Sequence, residues 1–403
     1  MAVLDLPRHI FIENGALNRL DELVAAKGGT KVFVVMDSFL ASSPVNLHEK
    51  VSSILLKSGF TSSFFSNYSG EPTTKNVEEA VKQLQDFQGD CVIGIGGGSA
   101  IDLAKAVAVF GKNKTIEWNE IPHCLQLKRL PLIAVPTTAG TGSEATKVMV
   151  ITDPETNVKM NPSHPNLIPD AAVLDPELTL SLPPNFTVYT GLDALTHAIE
   201  GYVSNRASMM TDLFALEAIH QIGSALPKVY EDGKDNESRK EMILASCYAG
   251  IAFSNASTNL AHAAGRPLGA QFHIPHGLSV ALLLPFVMRF GLESCKERYA
   301  EIAVALGEDP SLSIDELAKN SIKIIENFND TFGIWKDAHK YIQPQKLIES
   351  THVLIADALS GNGIATNRKI PSEHDIEVIY YMLAEKLAAT SPELNEQTVN
   401  VVK

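Results

Sequence analysis

The stretch Gly191–Glu200 reads GLDALTHAIE. Leu192, Leu195, Ala198 and Ile199 form an apolar stripe, and the spacing predicts a helix over 185–203. Asp193 and His197 stand four residues apart, so a helix turns both to one face. An oxygen and a nitrogen on one face can grip a single cation. Alone, such a pair reads better as an ordinary side-chain contact on a helix. Two further histidines lie in NLAHAAGRPLGAQFHIPHGLSVALLLP (259–285), at His262 and His276. An imidazole among Ala, Leu and Gly needs a partner, and a metal is a good one. One Asp and three His make a mixed O/N site suited to Fe(II) or Zn(II), and composition does not choose between them.

A second constellation suits phosphate. CVIGIGGGSAIDLAKA (91–106) reads as a strand, a glycine turn and a helix. Gly96, Gly97 and Gly98 let backbone amides approach a ligand closely. Ser99 is the expected N-cap of the helix, whose free N–H groups and positive dipole end face a pyrophosphate. The pattern departs from the usual G-x-G-x-x-G, which would need glycine at position 99. The acidic residue is displaced as well. Asp37, ending the strand KVFVVM, can accept ribose hydroxyls and would repel a 2′-phosphate, which favours NAD over NADP. A polar loop, TTAGTGSEAT (137–146), follows the strand LIAVPT and suits the same crevice.

These residues need a scaffold. Apolar runs at 31–36, 90–95 and 132–137 alternate with helical periodicity at 47–58, 76–87 and 100–110. That order implies a parallel sheet with helices on both faces. Short strands (VMVIT, AAVLD) and many prolines fill 146–184. Beyond Pro184 helical periodicity takes over, at 185–203, 210–229, 238–253, 278–290, 313–328 and 375–388. The expected organisation is an α/β dinucleotide-binding domain at 1–184 and an all-α metal domain at 185–403.

With 403 residues, 45% hydrophobic and 20% charged, the chain has a normal globular balance. Its net charge of −14 excludes a basic footprint for nucleic acid. The apolar run Leu278–Met288 reads as a buried helix too short to span a bilayer, so no membrane partner is expected. The N-terminus lacks the apolar core of a signal peptide. Four scattered cysteines suit a reducing compartment, and a cytoplasmic enzyme is expected. The helical half carries apolar surface enough for a homodimer.

Together, GGGSAID, PTTAGTGSEAT, GLDALTHAIEGY and the H-x13-H block ending IPHG resemble the iron-containing (group III) alcohol dehydrogenases. The resemblance implies a Rossmann-like dinucleotide domain, a helical metal domain in a dehydroquinate synthase-like layout, and NAD(P)-linked chemistry on a small alcohol or aldehyde. It implies metal ligands Asp193, His197, His262 and His276. It puts Gly97, Gly98 and Ser99 at the pyrophosphate, Asp37 at the ribose, and Thr137, Thr138, Thr146 and Lys159 at other cofactor contacts. Asp102, on the helix behind the cradle, is grouped with them. Two positions depart from the pattern. Arg266 stands where the family commonly has a second histidine of the substrate pocket or proton relay, and Glu71 stands where Asn is frequent. His273 could take over the relay. Arg266, if it faces the pocket, could bind an anionic aldehyde or oxo acid. A metal- and NAD-dependent cyclising lyase shares the layout but needs more basic residues than these motifs supply.

Overall fold

The computed structural model describes residues 3–42, 45–113, 115–156 and 158–390. Its strands are β1 (His9–Ile12), β2 (Lys31–Met36), β3 (Thr61–Phe65), β4 (Cys91–Gly96), β5 (Leu132–Pro136), β6 (Ile151–Asp153), β7 (Val158–Met160) and β8 (Ala171–Leu174). Among them run α1 (Leu20–Ala26), α2 (Ser38–Ala41), α3 (Leu47–Lys57), α4 (Thr74–Phe87) and α5 (Gly98–Phe110). Helices follow: α6 (Pro184–Val203), α7 (Met209–Glu231), α8 (Asn236–Ala256), α9 (Leu260–Phe272), α10 (His276–Gly291), α11 (Lys296–Ala305), α12 (Ile314–Thr331), α13 (Ile334–Ala338), α14 (Pro344–Leu359) and α15 (Glu373–Ala389).

The chain forms two compact units. One comprises Val3–Leu182 with Gly233–Ser254, the other Pro183–Asp232 with the described residues from Asn255 to Thr390. The stretch beyond residue 184 is therefore not one continuous helical body. Most of α8 belongs with the α/β unit, where Lys147 N–H donates to Ser254 Oγ at 3.0 Å.

The α/β unit holds a six-stranded sheet in the order β1-β8-β5-β4-β2-β3, with every neighbouring pair parallel. This is the Rossmann-like layout expected from the alternation of apolar runs and helices. Val32, Val34 and Met36 of β2 pack on one face with Leu20, Val51 and Leu55. Phe33 and Val35 pack on the other with Leu84, Leu103 and Val107. Both faces are thus buried, which explains why the strands read as near-continuous apolar runs. From β2 the chain moves outward to β3, then returns to the opposite side of β2 as β4. Strand order reverses between β2 and β4, and that is where such sheets open a ligand crevice. VMVIT yields only the short β6, which pairs antiparallel with β7 outside the main sheet.

In the helical unit α10 is the central element. It packs against α6, α9, α12 and α15. The 19 residues His276–Ser294 are long and apolar enough to cross a membrane by composition. Every side chain from Leu278 to Met288 is nevertheless buried. At about 1.5–3 kcal/mol for each fully buried aliphatic side chain, this helix is a main source of the unit's stability.

Candidate metal centre and cofactor cradle

Helix α6 is buried from Gly191 through Val203, so its polar residues must find partners inside. Asp193 and His197 share one face, and so does Glu200, seven residues after Asp193. His262 comes from the first turn of α9. That helix has a poor intrinsic propensity, because Gly265, Pro267 and Gly269 together cost roughly 5 kcal/mol against alanine. Packing offsets the cost: Leu260, Ala261, Ala263, Ala264 and Leu268 are buried. His276 opens α10. Its position depends on Gly277, where an added Cβ would lie 2.1 Å from the Tyr189 carbonyl oxygen of α6. Only glycine lets the two helices approach so closely.

These elements bring three of the four expected ligands into one cluster, with His197 at its edge. Ligand atoms of Asp193, His262 and His276 all lie within 4.8 Å of one another. Asp193 Oδ1 is 3.4 Å from His262 Nε2, 3.7 Å from His276 Nε2 and 3.9 Å from His197 Nδ1. The His197 ring stacks on His262 with centroids 4.3 Å apart. Asp193 and His262 are buried, whereas the His276 side chain is 42% exposed and leaves one side of the cluster open. Asp193 Oδ1 and His262 Nε2 have no hydrogen-bond partner among the described residues. Buried polar atoms are seldom left so, and lone pairs converging from a carboxylate and several imidazoles fit a divalent cation. Burial alone would raise the Asp193 carboxyl, but the charges of His197, His276 and His262 outweigh it and hold the carboxyl well below the usual range. For His262, burial pulls the imidazole down, while Glu200 and Asp193 raise it to about 9.

Glu200 went unread in the sequence. Its carboxylate accepts His262 Nδ1–H at 2.6 Å, Asn259 N–H at 2.9 Å and Ala261 N–H at 2.6 Å. The signal was available: a third polar residue in register with Asp193 and His197 on an otherwise apolar helix.

The other expected pocket residues are less closely tied to the cluster. Arg266, one turn after His262, is partly buried. Burial lowers its guanidinium against the opposing pull of the nearby Glu200 and Asp193 carboxylates. His273 is exposed at the C-cap of α9, in the left-handed region at φ 54°.

In the α/β unit the glycine turn follows β4. Met36 of β2 is in register with Ile95 of β4, so Asp37 and Gly96 leave the sheet side by side. Asp37 caps α2, accepting Phe39 N–H at 2.9 Å. Thr137 N–H donates to the Gly96 carbonyl at 2.9 Å, and a Cβ on Gly98 would meet the Thr141 side chain at 2.9 Å. The two loops thus form one cradle at the start of α5, with Thr138 partly exposed beside it. A phosphate can be held there by backbone amides alone.

Several expectations need correction. The N-cap of α5 is Gly97, and Ser99 lies inside the first turn without capping it. Asp102 is buried away from the cradle's surface. Helix α5 is buried from Ala100 to Val109, and the Asp102 carboxylate turns inward to Lys105 Nζ at 3.3 Å and Val150 N–H at 2.9 Å. Thr146 is also buried, with Oγ1 accepting from Lys105 Nζ at 2.8 Å. Lys159 pairs with Glu71 at 2.6 Å, so the glutamate that replaces the frequent Asn holds this cation at the surface.

Two family models cover the chain, iron-containing alcohol dehydrogenase over residues 7–176 and the C-terminal Fe-containing alcohol dehydrogenase family over 187–383. The probable alcohol dehydrogenase EutG of Salmonella typhimurium is 43% identical over 75% of this chain and 77% of its own length. The NAD-dependent methanol dehydrogenase of Bacillus methanolicus is 33% identical over 93% of this chain and 97% of its own. Among solved structures, the alcohol dehydrogenase from Oenococcus oeni is similar at a TM-score of 0.90 and 31% identity, covering 95% of this chain and all of that one. On the strength of its two converging motif sets and these matches, the chain belongs to the iron-containing alcohol dehydrogenase family.

Proposed function

We propose that the protein is a metal-dependent alcohol dehydrogenase that interconverts a short-chain alcohol and its aldehyde with NAD(H). One observation carries this reading: buried, unsatisfied Asp193 Oδ1 and His262 Nε2 face each other beside His197 and His276. Asp193, His197, His262 and His276 would hold the ion. Fe(II) accords with the family, and Zn(II) suits the same donors. When bound, the ion supplies a Lewis acid that polarises the substrate oxygen, and NAD supplies the hydride acceptor.

The chain's own residues do the rest. The α5 N-terminus with Gly97, Gly98 and Ser99 would bind the pyrophosphate, flanked by Thr137 and Thr138. Asp37 would accept the ribose hydroxyls and repel a 2′-phosphate, which supports NAD. Oxidation of the alcohol also releases a proton. His273 is our candidate for passing it to water, supported by its exposure and its position three residues before His276. Arg266, close to the Asp193 and Glu200 carboxylates, offsets their negative charge. The relatives reported above are named for alcohols, so the anionic-substrate and lyase readings are not favoured. Burial of α10 supports a water-soluble enzyme, and the cytoplasm is the compartment we propose.

The test is a panel of short alcohols and aldehydes with NAD(H) and NADP(H), using protein stripped by chelator and reloaded anaerobically with Fe(II) or Zn(II). We expect turnover with NAD(H) after reloading and none in the stripped protein. Turnover unaffected by stripping, or none with any alcohol or aldehyde after reloading, overturns the reading.

A further inference from the structure

Glu200 is fully buried on α6 and lies behind His262 rather than among the atoms facing the cluster. Three donors fix its carboxylate. Asn259 N–H and His262 Nδ1–H share Oε2, and Ala261 N–H takes Oε1. Asn259 Nδ2 also donates to the Glu200 carbonyl at 3.1 Å. Asn259 is the N-cap of α9, so the carboxylate closes the positive end of that helix as well as holding the imidazole.

A neutral imidazole carries one proton, and the nitrogen that keeps it cannot bind a metal. A carboxylate at 2.6 Å from Nδ1 selects the Nδ1–H form. Nε2 is then the free lone pair, and Nε2 is the atom turned to Asp193 Oδ1 at 3.4 Å. We infer that Glu200 is a positioning residue for the metal: it fixes the tautomer and ring orientation of His262 through Nδ1 and so sets metal affinity without touching the ion. The inference rests on the ligand set proposed above. Partners of this kind strengthen the imidazole as a donor and commonly change metal affinity about 10–100-fold.

The glutamine variant is discriminating. A carboxylate accepts all three donors at once, whereas an amide must turn its NH2 toward at least one of them. Zn(II) serves as a diamagnetic probe in the full chain. Zn(II) Kd from chelator competition should rise about 10–100-fold in Glu200→Gln. In a His262→Ala background, Glu200→Gln should add nothing. In the Zn(II)-loaded native protein, ¹⁵N spectra of labelled histidine should show His262 with a protonated Nδ1 protected from exchange and a metal-shifted Nε2. A mere cap of α9 would lower thermal stability with and without Zn(II) and leave Kd unchanged. An unchanged Kd in a folded Glu200→Gln, or a native spectrum with metal on Nδ1, overturns the inference. Should Glu200→Gln fail to fold, the native spectrum still decides. If instead His262→Ala leaves Kd unchanged, the ligand set itself is wrong.

Discussion

Two buried polar clusters, one in each unit, accommodate charge in opposite ways. In the α/β unit Lys105 is fully buried, yet its ammonium donates to Asp102, Thr146 and the Val148 carbonyl, and Asp102 also accepts Val150 N–H. That cluster closes on itself. In the helical unit Asp193 and His262 are equally buried, but Oδ1 and Nε2 find no hydrogen bond among the described residues, and the same carboxylate is approached by His197 and His276. Burial of charge is common to both and so identifies nothing. What distinguishes the second is acceptors that converge on one another without a hydrogen bond, a donor set that fits a divalent cation.

The sharpest way to break this contrast is to remove a donor from each cluster. Asp193→Asn or His262→Ala should abolish metal retention and lower kcat/KM by about 10⁴-fold, the scale of several kcal/mol of Lewis-acid stabilisation, with little change in the folded far-UV spectrum. Metal analysis beside steady-state kinetics checks this. Lys105→Met should act on stability instead. It leaves Asp102 as a buried, uncompensated charge and should cost about 3–5 kcal/mol, read from denaturant midpoints. Replacing both partners, Asp102→Asn with Lys105→Met, should recover much of that loss. Loss of metal without loss of stability in Lys105→Met would erase the distinction.

A smaller effect concerns a single carboxyl beside that cluster. Glu144 is buried with Oε1 unpartnered among the described residues. Burial pushes its carboxyl up to about 7, against its own backbone amide, Lys105 and Cys247. Below about 4.5 the folded and unfolded chains both keep this proton, so stability there is independent of it. As pH rises toward 7 the unfolded chain ionises first, and stability falls. Relative to Glu144→Gln, the native protein should lose roughly 2–3 kcal/mol between pH 5 and 8. A constant difference in unfolding free energy across that range would show that Glu144 is not held protonated.

Much of this was legible in the sequence, for identifiable reasons. The β-branched run at 31–36 became β2 without change, because a strand buried on both faces has no polar alternation to misread. Asp193 and His197 were legible because helical spacing fixes which side chains share a face. Helix α9 was harder: with Gly265, Pro267 and Gly269 its segment showed no helical periodicity, and packing against α10 and α14 makes it helical. Asp102 was misread since a helix buried all round offers no polar face, and its carboxylate had to turn to Lys105. Ser99 was misplaced by two residues because three consecutive glycines leave the start of α5 unmarked. Glu200 looked like one more helical glutamate. Its register with Asp193 and His197 was visible, but its partners at the start of α9, 59 residues away in the chain, were not.

Anomalous diffraction at the iron edge from Fe(II)-loaded crystals tests the central claim most directly. The account predicts one strong peak per chain, about 2.0–2.2 Å from an oxygen of Asp193 and from one ring nitrogen each of His197, His262 and His276. A peak bound elsewhere in an active crystal, or active protein with no peak among these four side chains, would contradict it.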